Sequence, residues 1–149
     1  MIWGEPTWFL LHTLAEKVKD DAFPQIKDGI LNTIYIICTN LPCPDCASHA
    51  QSYLDTNRFK SIQTKEQLKL FLFNFHNTVN MRKGYAIFTL DQLNEKYPTA
   101  NTIQIIYNFF KYFAAKSKSV RMISNDLFRN RMVDSIKQWL NANIGYFNP

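Results

Sequence analysis

The strongest chemical signal in the chain is Cys43-Pro44-Asp45-Cys46. Two thiols three residues apart at the start of a helix can close a disulfide with little strain. The partial positive charge of the helix N-terminus lowers a thiol pKa there and favours the thiolate. Cys43 falls at the exposed end, where it can exchange with a partner. Cys46 falls one turn inside and faces the interior. The same residues admit a metal reading: Cys43, Cys46 and His49, with Cys38 or His76 as a fourth ligand, have the donor types of a tetrahedral zinc site. There is no second C-x-x-C or H-x-x-x-H pair to complete it. Haem attachment requires a His directly after the second Cys, where Ala47 stands, and a thioredoxin-like site requires a βαβ context. Redox and metal chemistry both stay open on these residues alone.

A second group is Phe75-His76-Asn77-Thr78-Val79-Asn80. His76 and Asn80 share one side of a helix, against an apolar stripe, and Asn77 lies next to them. Such side chains need hydrogen-bond partners. They can satisfy one another or grip a polar heteroaromatic ligand. Trp8 and His12 form a third pair at i and i+4. Taken singly, His12 and His49 read as core histidines, and Cys38 as a buried packing cysteine. Taken together, separate helices each place a polar group or a Cys on an apolar face: His12, Cys46 with His49, His76 with Asn77 and Asn80, and the Lys96-Tyr97 end. A helical bundle with a cofactor between its helices needs that arrangement.

Helical periodicity runs nearly throughout. Pro6 suits a first turn, and Trp8, Leu11, His12, Ala15 and Val18 follow as a stripe. A second helix is predicted from about Phe23 to Asn40, apolar over so much of its girth that it belongs at the centre of a bundle. After Leu41-Pro42 a third helix carries Cys46, His49, Ala50 and Tyr53 on one face. Thr64-x-x-Gln67 is a capping box that opens a fourth, which Gly84 closes. Thr89 caps a short fifth through Tyr97. Beyond Pro98, Ile103, Ile106, Tyr107, Phe110 and Phe113 make an aromatic-rich stripe. A basic link (Lys116 to Arg121) leads to a last helix from about Ser124 to Asn143, with Leu127, Met132, Ile136, Trp139 and Leu140 apolar. Tyr85 to Phe88 is the only strand candidate. The expected fold class is all-α.

At 149 residues and 46% apolar content the chain can bury a core, which disfavours disorder and disulfide-stapled scaffolds. Four Gly leave little room for a Gly-rich phosphate loop, and three Cys are too few for a disulfide framework. The net charge of +5 is uneven: residues 1–100 carry ten basic and ten acidic groups, residues 101–149 seven basic and two acidic. That asymmetry suggests two modules. The longest uncharged run, Gly29 to Pro44, spans 16 residues and is too short and polar for a bilayer. Met1 to Leu14 lacks the basic start of a secretory signal.

The pattern resembles the FAD-linked sulfhydryl oxidases of the Erv/ALR type. Their W-G-x-x-x-W-x-x-L-H reads here as Trp3-Gly4 through Trp8 to Leu11-His12. Their P-C-x-x-C-x-x-H/F reads as Pro42-Cys43 to Cys46 and His49. Their H-N-x-V-N reads as His76-Asn77-Thr78-Val79-Asn80, followed by Arg82. The resemblance covers residues 1–97 and looks most like the compact forms of large DNA viruses. It implies a four- or five-helix bundle binding FAD, usually as a homodimer, with residues 98–149 as a basic helical extension for packing, dimerisation or partner docking. It implies catalytic Cys43 and Cys46. It puts Gly4, Trp8, His12, Cys46, His49, His76, Asn77, Val79, Asn80, Arg82, Lys96 and Tyr97 at the cofactor, and no resident metal.

The activity implied is thiol oxidation. A dithiol protein or a thioredoxin-like shuttle exchanges with Cys43–Cys46, and electrons pass through FAD to oxygen, giving hydrogen peroxide. The infected-cell cytoplasm or the virion is the implied location, with the mitochondrial intermembrane space as the alternative. Membrane and nucleic-acid partners are not expected. This chain departs from the family pattern in three ways. The positions of a structural disulfide that brackets the H-N-x-V-N helix in many members are Phe73 and Leu90, so packing must replace it. The usual L-G-K is Lys83-Gly84-Tyr85, so one phosphate-side lysine is missing or displaced. No second cysteine pair can act as an internal shuttle. The rival reading is a zinc-stabilised helical module that binds nucleic acid or protein.

Overall fold

A computed structural model describes the backbone of residues 2–113 and 123–149, and the side chains of all of these except 123–127. The described residues form seven α-helices. They are α1 (Gly4–Lys17), α2 (Phe23–Thr39), α3 (Pro44–Thr56), α4 (Lys65–Lys83), α5 (Leu90–Lys96), α6 (Thr102–Phe113) and α7 (Ile123–Asn143), with 3₁₀ turns at Phe59–Ser61 and Ile144–Tyr146. The basic link Lys116 to Arg121 and the side chain of Leu127 lie outside the described residues.

The helix ends follow from local chemistry. Pro6 sits in the first turn of α1 and Pro24 in that of α2, where the missing N–H would have no intrahelical acceptor. Thr64 and Gln67 close a reciprocal capping box on α4, and Thr89 and Gln92 do the same on α5. Gly84 ends α4 in the left-handed conformation at φ 75°, which its missing Cβ permits.

No β-strand occurs among the described residues. The strand expected at Tyr85 to Phe88 is a loop instead. Tyr85, Ala86 and Ile87 are exposed, and no second segment pairs with them. A single antiparallel bridge joins Val18 to Phe147. Around it the chain's last residues are tied to the end of α1 and the start of α6. The Lys19 N–H donates to Tyr146 O at 2.8 Å, Asn148 N–H to Lys17 O at 2.6 Å, and the Thr102 hydroxyl to Asn148 O at 2.7 Å.

The core runs through two sets of packed helices. α1 lies between α4 and α6, and α2 packs against α3 and α7. Ile30, Ile34 and Ile37 of α2 are fully enclosed, and Leu10 and Leu14 of α1 likewise. Phe109 and Phe113 of α6, and Val133, Ile136 and Leu140 of α7, belong to the same apolar cluster. Two helix faces sit differently from the expected stripes. On α3 the inward residues are Ala50 and Leu54, with Tyr53 half-buried, and His49 is exposed. Leu54 draws the helix round because it has far more apolar area to bury than an imidazole. On α6, Phe109 and Phe113 point into the core, while Ile103 and Tyr107 of the expected stripe face outward.

Gly29 of α2 faces Trp139 of α7 at close range. A Cβ built there would fall 2.6 Å from Trp139 Nε1, inside contact distance of a rigid indole. Overpacking costs about 1–3 kcal/mol, and the helix-propensity gain from Gly to Ala returns at most about 1 kcal/mol. Gly29→Ala is therefore expected to destabilise the fold. Urea unfolding should show a lower midpoint, and a double-mutant cycle with Trp139→Leu should show the two changes to be coupled.

Candidate functional site

The site lies where the first half of α1 runs beside the second half of α4. Trp8 and His12 project from α1 at i and i+4, and His76, Val79, Asn80 and Lys83 from α4 at helical spacing. The Trp8 indole stacks on the His76 ring at 4.0 Å with 9° between planes, and Phe75 meets Trp8 edge-on at 5.1 Å. His12 stacks on Tyr97, which caps the C-terminus of α5, at 4.7 Å. Phe88 presents its edge to His12 and lies tilted against His76.

His12 Nε2 and His76 Nδ1 are 2.9 Å apart, so one ring donates an N–H to the other. Such a bond requires at least one neutral ring. The surroundings keep both neutral. Burial, then the neighbouring His76 and Lys96 charges, push His12 down to about 3. Burial and Lys96 push His76 down to about 4. Tyr97 is pushed up, chiefly by burial.

Two cavities share the wall formed by Gly4, Trp8, Val79 and Lys83. The inner one, about 50 Å³, is lined by Cys46 together with Leu11, Cys38, Leu41 and Phe75. The outer one, about 340 Å³, adds Phe9, His76, Asn80, Lys96 and Tyr97. It continues into a cleft past Phe88 and Gln92. Lys96 Nζ lies 4.4 Å over the Phe9 ring at its rim.

Cys43 is the N-cap of α3 and Cys46 stands one turn in. Both are half-buried free thiols, and the Cys46 N–H donates to Cys43 Sγ at 3.2 Å. The two sulfurs are pushed in opposite directions. The Cys46 side chain, and then the N–H groups at the helix start, stabilise a Cys43 thiolate and lower its pKa. Burial, followed by the adjoining Cys43, raises that of Cys46, and the charges of Lys83 and Arg82 oppose this. Burial alone pushes Cys38 up to about 12, which makes it a poor nucleophile.

The expected residues separate into groups. Gly4, Trp8, His12, His76, Val79, Asn80 and Tyr97 converge, with Cys46 at one end and Lys96 at the other. Arg82 rims the inner cavity. His49 is exposed and lines neither cavity. Asn77 holds the backbone of the following loop: its Nδ2 donates to Phe88 O at 2.9 Å, and Phe88 N–H donates to its Oδ1 at 3.2 Å. Phe73 meets Phe88 edge-on at 5.1 Å. Phe9 and Phe88 were not among the expected site residues, and Lys83 was named only where the chain departs from the L-G-K pattern. Lys83 lies four residues after Val79 and three after Asn80, a spacing that could have flagged it. Cys43, Cys46 and His49 do not assemble a zinc site. Among the described residues no three His, Cys, Asp or Glu side chains lie close enough together to hold a metal.

The fold and site define a helical bundle that sets a cysteine pair at the mouth of an aromatic, cation-rimmed cleft. The profile of the Erv1 / Alr family matches residues 5–98, and the chain belongs to that family. It is 37% identical over 84 residues to a putative FAD-linked sulfhydryl oxidase, 096R, of Invertebrate iridescent virus 3, covering 54% of this chain and 55% of that protein. It is 29% identical over 94 residues to the FAD-linked sulfhydryl oxidase ERV1 of Arabidopsis thaliana, covering 63% and 49%. The FAD-linked sulfhydryl oxidase of an African swine fever virus is 31% identical over 104 residues, covering 68% and 87%. The chain thus spans about half the length of the first two relatives and most of the third. No solved structure matches it.

The histidine pair makes stability pH-dependent. Both folded pKa values lie below the ordinary 6.5, so between about 6.5 and 4 the unfolded chain binds more protons. The stabilisation is complete above about 6.5 and is lost as pH falls. Urea midpoints should drop between about pH 7 and pH 5. His12→Gln keeps a donor but takes up no proton, and should reduce that slope.

Proposed function

We propose that the chain is a FAD-linked sulfhydryl oxidase that makes disulfides in dithiol proteins through Cys43 and Cys46, with oxygen as final acceptor and hydrogen peroxide as product. One observation carries this reading: Cys46 lines an aromatic-walled cavity, while its partner Cys43 sits at the helix start on the solvent side.

The residues present fit FAD by their chemistry. Trp8, His76 and Tyr97 line the outer cavity with aromatic surface for planar heteroaromatic rings, His12 holds His76 from behind, and Asn80 adds amide donors and acceptors. Arg82, Lys83 and Lys96 supply cations for the diphosphate. When bound, FAD supplies a two-electron acceptor for the thiol pair and returns the electrons to oxygen.

The chain's own part is exchange. A substrate thiolate attacks Cys43 Sγ of the Cys43–Cys46 disulfide. The Cys43–Cys46 bond breaks, a mixed disulfide forms on Cys43, and Cys46 leaves as a thiolate. The substrate's second thiol attacks its own sulfur in that bond, and Cys43 leaves in turn. The substrate has lost two electrons and the cysteine pair has gained them. The Cys46 side chain, and then the N–H groups at the start of α3, lower the pKa of Cys43 and so make it a good leaving group. Lys83 and Arg82 face the Cys46 sulfur when it carries charge. The neutral histidine pair holds α1 against α4, and the aromatic wall keeps water from the inner cavity.

Dithiol proteins follow as substrates, either directly or through a shuttle, since the chain has no second cysteine pair of its own. The viral sources of two of the relatives favour an infected-cell cytoplasm. No described helix is long and apolar enough to cross a membrane. A homodimer is part of the proposal.

The visible spectrum of the purified protein tests the reading. Flavin bands should bleach on anaerobic addition of dithiothreitol and return with air. Protein that stays colourless after reconstitution with FAD would sink it. Cys46→Ser should hold flavin yet fail to bleach, and Cys43→Ser should lose turnover of a protein dithiol to background.

A further inference from the structure

We propose that the cleft between α6 and α7 receives an acidic, amphipathic helical segment of another protein. This cleft lies outside the part of the chain that matches the family, and its volume is about 580 Å³. Its walls are apolar: Ile106 and Phe110 of α6 face Leu140 of α7 and Ile144 beyond it. Ile103 and Tyr107 stand on its edge with 61% and 65% of their surfaces exposed. α6 thus carries two apolar faces. Phe109 and Phe113 bury one in the core, and the other is left at the surface. A helix apolar over this much of its girth normally has neighbours on both sides.

Charge decides the occupant. Among the described residues the cleft is lined by Lys111 and Lys137 and by no acidic side chain. Lys111 is the only charged residue of α6. On α7 the acid nearest to Lys137 in sequence is Asp134, one turn away and off the cleft. Lys137 Nζ lies 5.2 Å from the centre of the Phe110 ring, so its charge stands directly over the apolar wall. Among the described side chains of residues 101–149, the basic groups Lys111, Arg129, Arg131 and Lys137 outnumber the one acidic group, Asp134. A second copy docked here about a two-fold axis would oppose lysine to lysine and one concave cleft to another. Nucleic acid would meet the two cations but leave the exposed Ile103 and Tyr107 without apolar partners. A helix with an apolar stripe and flanking carboxylates satisfies both features, in the helix-in-groove mode. The lining positions span 103–111 on α6, about 12 Å of helix, and 137–144 on α7 and the turn after it, so the occupant engages about two turns.

The test is selection of a displayed library of random peptides, about 14 residues long, on the full-length protein. A parallel selection uses the Lys111→Glu/Lys137→Glu protein, and thermal melting checks the fold of each variant. Peptides enriched on the parent should carry apolar residues at i, i+3 or i+4, and i+7, flanked by Asp or Glu. They should bind the charge-reversed protein about tenfold or more weakly and lose affinity on Tyr107→Ser. Enriched peptides without acids, or equal affinity for both proteins, would overturn the proposal. So would a dimer in sedimentation that Tyr107→Ser dissolves, which makes a second copy the occupant. Binding of duplex DNA or phosphatidylserine vesicles through the same lysines, with no peptide selected, would overturn it as well. Only binding is read, so the result is independent of the flavin assignment.

Discussion

The hydrogen bond between His12 and His76 is the constraint from which the rest of the site is built. It joins α1 to α4 at their closest functional point, and it exists only while at least one ring is neutral. Burial supplies that neutrality. The surrounding rings, Trp8, Phe75, Phe88 and Tyr97, exclude water from the pair, and Lys96 adds a like charge that disfavours protonation. In return the pair fixes the angle at which Trp8 lies on His76. An aromatic wall built in this way is rigid without any covalent tie, because each ring is held by two or more neighbours. It also presents neutral nitrogen atoms where charged ones would repel the cations on the rim.

The cysteine pair draws its asymmetry from a different source, the end of α3. Pro44 fixes the first turn and makes Cys43 the N-cap, so the unpaired N–H groups of the helix converge on its sulfur. Cys46, one turn on, rotates inward onto α1 and α4. One short element thus places one sulfur where a partner can reach it and the other where the cleft begins. The difference in acidity follows that geometry: the Cys46 side chain and then the N–H groups stabilise charge on the outer sulfur, while the inner one has lost water and has Lys83 and Arg82 as partial compensation.

Much of this was legible in the sequence because it is local. Capping boxes at Thr64 and Thr89, the stop at Gly84, the first-turn prolines and the C-x-x-C all act within four residues. The pairing of His12 with His76 was not legible, since periodicity gives a helix a face but does not say which helix meets it. The same limit explains His49. Its spacing from Cys46 puts it near the inner face, yet Leu54, two turns beyond Cys46, sets the rotation that wins. α6 shows the converse. Phe113 of the expected stripe is buried, but Ile103 and Tyr107 face outward, because Phe109, which that stripe left out, takes the inward side together with Phe113. The hold of Asn77 on the backbone of Phe88 was not legible either, because that partner lies in a loop without a pattern.

That loop bears on how the bundle manages without the disulfide that brackets this helix in many relatives of the resembled type. Its two positions here are Phe73 and Leu90. Leu90 is nearly half exposed and contributes little. Phe73 instead meets Phe88, and Asn77 one turn on binds the same residue through both its N–H and its carbonyl. An aromatic pair contributes about 0.5–1.5 kcal/mol, and two hydrogen bonds about 1 kcal/mol each. A disulfide typically contributes about 2–4 kcal/mol. The non-covalent tether is therefore of similar size, with one physical difference. A disulfide acts mainly on the unfolded chain, whereas these contacts act only in the folded one and hold Phe88 against both histidines. The substitution moves the stabilising element from the margin of the helix into the wall of the site, so that closing the loop and excluding water from the histidine pair become a single event.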